Sequence, residues 1–182
     1  MIQGNIVLLP ALLAAVAWLL LAWRWGLRPS TVGFGLAAIA HLTAVVALTL
    51  FPLPVQREMI EEGRKLQLAD NNFVPIVNTL DGIADGRHAA VIRLAIGNLI
   101  ALAPLGIYGP FLWPRLRTWQ GVLLAGVGVS IGIESAQLLV SGALGYTYRV
   151  ADVDDVIFNA AGVMAGYAAY RLLIRAQVPS AA

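Results

Sequence analysis

The sequence predicts an all-α integral membrane protein, a bundle of five transmembrane helices forming a single domain over residues 1–182. Hydrophobic residues make up 59% of the chain and charged residues 12%, whereas soluble domains carry about 45–50% and about 25%. Five segments also reach the length of about 20 apolar residues that a membrane-spanning helix needs. They are residues 6–25, 31–53, 89–113, 119–140 and 154–173.

The arginines predict the orientation of this bundle. The first and third loops and the C-terminal tail contain arginine but no acidic residue, with Arg24, Arg28, Arg115, Arg117, Arg171 and Arg175. The second loop, residues 54–88, balances four basic residues with six acidic ones, and the fourth loop has only Arg149 before the aspartates. Cytoplasmic loops carry the excess of lysine and arginine. We therefore expect an extracytoplasmic N-terminus and a cytoplasmic C-terminus.

The sequence of the second loop predicts two further structural elements, both on the extracytoplasmic side. Its first part, VQREMIEEGRKLQL, has apolar residues spaced for a short helix lying on the membrane. Its second part, NNFVPIVNTLDGI, is more apolar than a free loop requires. We expect this part to be re-entrant, because irregular backbone at membrane depth is tolerated only where protein or water satisfies it.

Polar residues of the spans and of the fourth loop converge in the outer half of the predicted bundle. Ionisable residues inside spans are costly and mark pairs or functional sites. Glu134 lies about 9 Å and Arg93 about 6–8 Å below the outer surface, at 1.5 Å rise per residue. The other members are Asn98, which lies deeper, Arg149, Asp152, Asp154, Asp155 and Asn159.

Helical spacing places these residues on defined faces. In the fourth span, Ser130, Glu134, Gln137 and Ser141 form one stripe. The opposite face, with Ala125, Gly128, Gly132 and Ala136, predicts a close helix contact. In the fifth span, Asp155, Asn159, Gly162 and Gly166 form a stripe whose glycines would admit a neighbouring helix.

Several members of this cluster also have purely structural interpretations. Asp152 and Asp155 have the spacing of a capping box at the start of the fifth span. Glu134 is expected to pair with Arg93 or Arg149. The chain has no cysteine and two histidines, which excludes thiolate and multi-histidine metal sites. The remaining metal hypothesis is Mg²⁺ or Ca²⁺ on the carboxylates of Asp152, Asp154 and Asp155.

Three motifs carry a resemblance to a known family. They are GNLIALAPLG at residues 97–106, IESAQ at 133–137 and RVADVDDVIFNAAGVMAG at 149–166, with NNFVPIVNTL ahead of them. Residues 71–167 resemble the VanZ-like membrane proteins. The sequence departs from the family pattern in ALAPLG, where a bulky aromatic residue commonly precedes the proline. The resemblance implies a multi-pass protein of the bacterial plasma membrane, associated with lowered sensitivity to the glycopeptide teicoplanin.

The motifs of the resemblance and the polar residues at the outer end of the spans indicate the same ligand-binding residues: Asn98, Glu134, Gln137, Arg149, Asp152, Asp155 and Asn159. Arg93 and Asp154 are expected to support them. The leading hypothesis is an outward-facing site for membrane lipids, a lipid-linked envelope intermediate or a lipoglycopeptide, with Arg149 contacting an anionic head group. One alternative is a non-catalytic scaffold that binds a protein partner. Another is a metal-dependent enzyme in which Glu134 acts as a general base. Nothing in the charge pattern indicates nucleic-acid binding.

Overall fold

The computed structural model describes residues 1–66 and 70–176. Within these ranges the chain is helical, without a β-strand, and five helices are long and apolar enough to cross a membrane. The predicted fold class is therefore confirmed. A 3₁₀ turn at Gly4–Val7 and another at Pro114–Arg117 accompany seven α-helices: α1 (Leu8–Trp25), α2 (Pro29–Leu50), α3 (Arg57–Leu66), α4 (Val77–Ala84), α5 (His88–Leu112), α6 (Trp119–Leu144) and α7 (Val153–Ala176).

Local sequence explains where these helices begin and end. The hydroxyl of Thr118 accepts a hydrogen bond from the backbone N–H of Gly121 at 3.1 Å and so caps α6. Gly145 ends α6 in a left-handed conformation with φ of 75°, which glycine adopts without steric cost. Helix α2 stops at Leu50, three residues before the predicted end, because Phe51 precedes a proline and is extended.

The closest packing in the bundle is between α5 and α7. A Cβ atom on Gly162 would overlap the carbonyl oxygen of Leu99, and one on Gly166 would overlap that of Ala103. The two backbones therefore touch along the predicted glycine stripe. This contact fixes the height of the polar residues that precede it on both helices.

Within the described part of this chain, the predicted contact through Gly128 and Gly132 is wrong. Both glycines are exposed, and a Cβ atom at either position would have no atom within 4 Å. Helix α6 instead packs with the stripe that carries its polar residues, where a Cβ on Gly126 would lie 2.8 Å from Val163. Because the polar residues of α6 need partners, their face and not the small-residue face turns towards α7.

The remaining helices complete the core around α5. The rings of Phe34 on α2 and Phe111 on α5 stack at 4.2 Å. His41 on α2 lies within hydrogen-bonding distance of the Tyr108 hydroxyl, at 3.0 Å, and of the Ala101 carbonyl, at 2.6 Å. Helix α1 is peripheral and packs mainly on α2.

One end of the bundle, here called the polar end, collects the N-terminus and residues 51–66, 70–87 and 145–152. Ile2 pairs with Leu53 through two backbone hydrogen bonds of 2.8 and 2.9 Å. Helix α3 is the expected amphipathic helix, and the guanidinium of Arg64 donates to the carbonyl of Leu144 at 2.7 Å. The polar end is therefore a folded layer across the helix ends.

Candidate ligand site at the polar end

Asp152 caps the start of α7. Its Oδ1 atom accepts a hydrogen bond from the backbone N–H of Asp154 at 2.9 Å. Its own backbone N–H donates to Oε2 of Glu134, also at 2.9 Å. The expected capping box is therefore formed differently: Glu134 of α6, and not Asp155, accepts the N–H of the capping residue. This bond joins α6 to the start of α7.

The carboxylate of Asp152 also binds the segment that precedes α4. The side-chain amide of Asn72 donates to Oδ1 at 2.8 Å, and that of Asn78 donates to Oδ2 at 2.7 Å. Backbone bonds of 2.9 Å from Asn72 to Ala151 and of 3.0 Å from Val153 to Asn72 reinforce this contact. Neither asparagine was predicted as a site residue. Their signal was three amide side chains, those of Asn71, Asn72 and Asn78, within a mostly apolar run.

Asp154 supports the same segment from a buried position. Its side chain is 1% exposed. Its oxygens accept hydrogen bonds from the backbone N–H of Ile76, from the N–H of Thr79 at 3.2 Å and from the Thr79 hydroxyl at 2.6 Å. These backbone donors belong to the start of α4, where a negative charge also complements the helix dipole. Asp154 therefore holds residues 71–83 against the bundle; this stretch, which the sequence led us to expect as re-entrant, is here called the re-entrant segment.

The expected ion pairs of Glu134 are absent from the described ranges. The ion pairs there are Arg57–Glu61 and Arg87–Asp85, both at 2.9 Å and both on the surface. Arg93 is exposed on α5. A buried carboxylate such as Glu134 can instead be satisfied by a backbone N–H, which costs less desolvation than burying an arginine beside it.

Gln137 and Arg149 bind the C-terminal end of α2. The amide of Gln137 donates to the carbonyl of Thr49 at 3.2 Å, and the guanidinium of Arg149 donates to that of Phe51 at 2.7 Å. Carbonyl groups at a helix end have no partner within the helix. Both residues therefore join α2 to α6 and to the loop after it. Oε1 of Gln137 is buried without a partner among the described residues.

A third group lies deeper, between α5, α6 and α7. The amide of Asn98 donates to Oδ1 of Asp155 at 2.5 Å. One turn further along α7, the amide of Asn159 donates to the Ser130 hydroxyl at 2.9 Å. Ser130 is fully buried, and Oδ1 of Asn159 is enclosed without a partner in the described part of the chain. These pairs lie directly above the glycine contact.

The carboxylates of Asp152 and Asp154 accept their hydrogen bonds from groups of the protein itself. Both oxygens of Asp152 and of Asp154 accept N–H or O–H groups. Across residues 1–66 and 70–176, no group of three or more histidine, cysteine or acidic residues has an arrangement that could hold a metal ion. The Mg²⁺ or Ca²⁺ hypothesis stays a prediction, and it would require displacing these donors.

Two cavities flank Asp152. The larger, here called the α4–α5 cavity, has a volume of about 490 Å³. The smaller, here called the Glu134 cavity, has a volume of about 220 Å³ and lies between the re-entrant segment, α6 and α7. The α4–α5 cavity is lined by Asp70, Asn78, Thr79, Arg87, Ala90, Val91, Leu94, Val150 and Asp152. The Glu134 cavity is lined by Phe73, Ile131, Glu134, Ser135, Leu138, Ala151, Asp152, Val153 and Val156.

Five membrane-length helices, with polar side chains gathered at one end, define a multi-pass helical membrane protein. The chain belongs to the family described as VanZ/LLP1, whose sequence model matches residues 34–174. The match runs from α2 into the last turns of α7 and contains every residue of the site described above. No curated protein and no solved structure is significantly similar to the chain.

Proposed function

We propose that this VanZ-like protein binds an amphiphilic ligand of the bacterial cell envelope at its polar end. The distribution of arginines supports an extracytoplasmic position for that end in the plasma membrane. The ligand class is a lipid-linked precursor or a lipoglycopeptide. Binding such a molecule at the outer face would change sensitivity to glycopeptides such as teicoplanin, as the resemblance to the VanZ-like proteins implies.

The observation that carries this proposal is the mixed wall of the α4–α5 cavity. Arg87 and the remaining N–H of the Asn78 amide offer hydrogen-bond donors, while Val91 and Leu94 of α5 offer apolar surface. The hydroxyl and N–H of Thr79 already donate to Asp154, and Asp70 and Asp152 add two carboxyl groups to the lining. Ligand pockets combine a mostly apolar lining with a few placed polar groups, and volumes of about 300–1,000 Å³ are usual. A cavity of this kind at the end of a membrane bundle suits a polar head group attached to an apolar chain.

Two arginines are candidates for contacting an anionic head group. Arg87 lines the α4–α5 cavity, and its pairing with Asp85 is surface-exposed and therefore weak. Arg149 uses one nitrogen for the carbonyl of Phe51, which leaves further donors of its planar guanidinium for a ligand.

Lipid binding in nanodiscs tests this assignment. Native mass spectrometry of protein titrated with a polyprenyl phosphate should give a dissociation constant that is about tenfold larger for Arg87→Ala than for the wild type. The reason is that hydrogen bonds to charged groups contribute about 1.5–3 kcal/mol. Arg57→Ala is the matched control, since Arg57 lies at the same end on exposed α3. Equal affinity for wild type and Arg87→Ala would contradict a head-group site in this cavity. A selective loss in Arg149→Ala, with normal melting, would assign the contact to Arg149.

A scaffold function is the second candidate, and the exposed glycines of α6 favour it. Gly128 and Gly132 leave open space beside the helix, and small residues on a membrane helix permit close approach of another helix. Crosslinking in native membranes, compared with a Gly128→Leu variant, tests this candidate. A specific partner that is lost in the variant supports the scaffold, and an unchanged pattern of crosslinks argues against this surface.

A further inference from the structure

A third cavity lies at the end of the bundle opposite to the polar end. It has a volume of about 430 Å³, within the range of about 300–1,000 Å³ that is usual for ligand pockets. Its wall is mostly apolar and comes from the second half of α1, the first half of α2 and the end of α5. Because Trp18, Trp25 and Trp113 all line it, we call it the tryptophan groove.

Trp18 gives this groove a fixed wall. Its indole N–H donates to the carbonyl of Val32 at 3.1 Å. Its ring lies against the backbone of α2, since a Cβ atom on Gly35 would overlap the ring. Turning the indole into the open space would break both contacts. The groove is therefore preformed by the packing of α1 on α2.

The groove extends over the depth of one leaflet. Its lining on α2 runs from Thr31 to Leu42, which corresponds to about 16 Å at 1.5 Å rise per residue. The hydrocarbon core of a bilayer is about 30 Å thick, so one leaflet contributes about half of that. Trp25, Leu42 and Trp113 are 63, 38 and 47% exposed, so the groove opens onto the outside of the bundle. Unfilled apolar space loses dispersion contacts, and an acyl chain has the length and the polarity to fill it.

Arginines adjoin the end of the groove at the membrane surface. Arg28 follows Leu27 of the lining, and Arg115 lies two residues after Trp113. Both arginines are exposed, and the ion pairs of the described ranges involve neither of them. The two turns that carry them contain no acidic residue. Basic pockets between membrane helices on the cytoplasmic side suit anionic lipid head groups.

We propose that the tryptophan groove binds an anionic phospholipid of the cytoplasmic leaflet. One acyl chain lies along α2, between α1 and α5. The guanidinium groups of Arg28 and Arg115 donate to the phosphate, for which their several N–H groups are suited. Trp25 and Trp113 lie at the level of the head groups, where tryptophan is enriched in membrane proteins.

This site goes beyond the proposed function and shares no residue with it. The head-group site of the polar end uses Arg87 and the α4–α5 cavity, whereas the groove lies at the other end of the bundle. Only the name of the leaflet depends on the orientation proposed above. The double variant Arg28→Gln/Arg115→Gln should therefore leave the titration with polyprenyl phosphate unchanged.

Native mass spectrometry of the full chain in detergent tests the groove. The probes are dioleoyl phosphatidylglycerol and dioleoyl phosphatidylcholine, which share their chains and differ in net charge. The wild type should bind phosphatidylglycerol at least about tenfold more tightly, since each arginine near an anionic head group favours it by about fivefold. Arg28→Gln/Arg115→Gln should lose this preference. Arg171→Gln is the matched control and should retain it, because Arg171 is exposed on α7, which does not line the groove.

Leu42→Trp tests the position of the chain separately from the charge. Leu42 lines the groove and is 38% exposed, so the larger ring can fill the inner end without entering the core. This variant should melt like the wild type and lose the preference for phosphatidylglycerol, because the seated chain holds the phosphate beside the arginines. Leu48→Trp, 76% exposed on the same helix and outside the lining, should retain the preference.

Three results would overturn the proposal. The first is equal affinity of the wild type for the two phospholipids. The second is a preference that survives in Leu42→Trp or in the double arginine variant. The third is a wild-type dimer that Leu42→Trp dissociates while neither protein distinguishes the two lipids, which would show that a second copy of the chain covers the groove.

Discussion

Replacing Asp154 with alanine should loosen the re-entrant segment without unfolding the bundle. The change removes the acceptor of three hydrogen bonds, from the N–H of Ile76 and from the N–H and hydroxyl of Thr79. Ile76 is 49% exposed, so water can replace its lost partner. The two donors of Thr79 are half-buried, and each unpaired donor costs about 1–1.5 kcal/mol at the low end of the usual range. The segment should therefore lose about 2–3 kcal/mol of local stability.

Hydrogen–deuterium exchange in detergent micelles measures this loss directly. A change of about 2–3 kcal/mol corresponds to exchange that is faster by about 30- to 150-fold at the amides of residues 76–84. The α5–α7 contact, which does not depend on Asp154, should keep its protection. Thr79→Val removes the hydroxyl donor alone and should give a smaller increase in exchange.

Asp81→Asn is the matched control for this experiment, because Asp81 lies on α4 itself and is exposed. It should leave the exchange of residues 76–84 within about threefold of the wild type, as expected for a surface substitution of about 0.5 kcal/mol. Wild-type exchange across this segment in Asp154→Ala would refute the assignment of Asp154 as its anchor.

Three further predictions concern packing, orientation and the end of α2. Gly166→Ala should lower the melting temperature and the free energy of unfolding by about 1–3 kcal/mol, because its methyl group would overlap the backbone of α5. Gly128→Ala is the matched control: it has open space around it and should be neutral or stabilising by up to about 1 kcal/mol. The chain has no native cysteine, so single cysteines can report the orientation. A membrane-impermeant maleimide added to whole cells should label Asp81→Cys, on the extracytoplasmic side, and should not label Arg115→Cys. The reverse pattern would show that the orientation is opposite to the proposed one. Arg149→Ala should cost about 1.5 kcal/mol in thermal unfolding, the low end for a hydrogen bond from a charged group, because the half-buried guanidinium bonds one carbonyl of the chain after α2. A loss of several kcal/mol would indicate a further partner.

The membrane-spanning helices could be predicted from sequence because length and hydropathy determine them with little help from tertiary contacts. The glycine stripe of α7 was predictable for a related reason: Gly162 and Gly166 share a face with Asp155 and Asn159, and that face has to turn inward. The same reasoning failed for Gly128 and Gly132. Small residues permit a close contact but do not require one, whereas buried polar residues require partners.

The partners of the polar residues were the hardest part to predict. An acidic residue and an arginine at similar depth suggest an ion pair, yet Glu134 binds the backbone of Asp152 and Arg149 binds a backbone carbonyl. Helix ends present several unpaired backbone groups, and a sequence pattern does not reveal which side chain reaches them. Asn72 and Asn78 were missed for this reason, since their role depends on where the loop lies relative to α7.

Native mass spectrometry of the protein extracted gently from its own membranes tests the central claim, that the polar end holds an amphiphile. We expect a co-purified lipid phosphate or glycolipid on the wild type and its loss from an Arg87→Ala variant that melts normally. Wild-type protein that is well folded and carries no such molecule, even when extracted in the mildest detergent, would contradict an amphiphile site at the polar end.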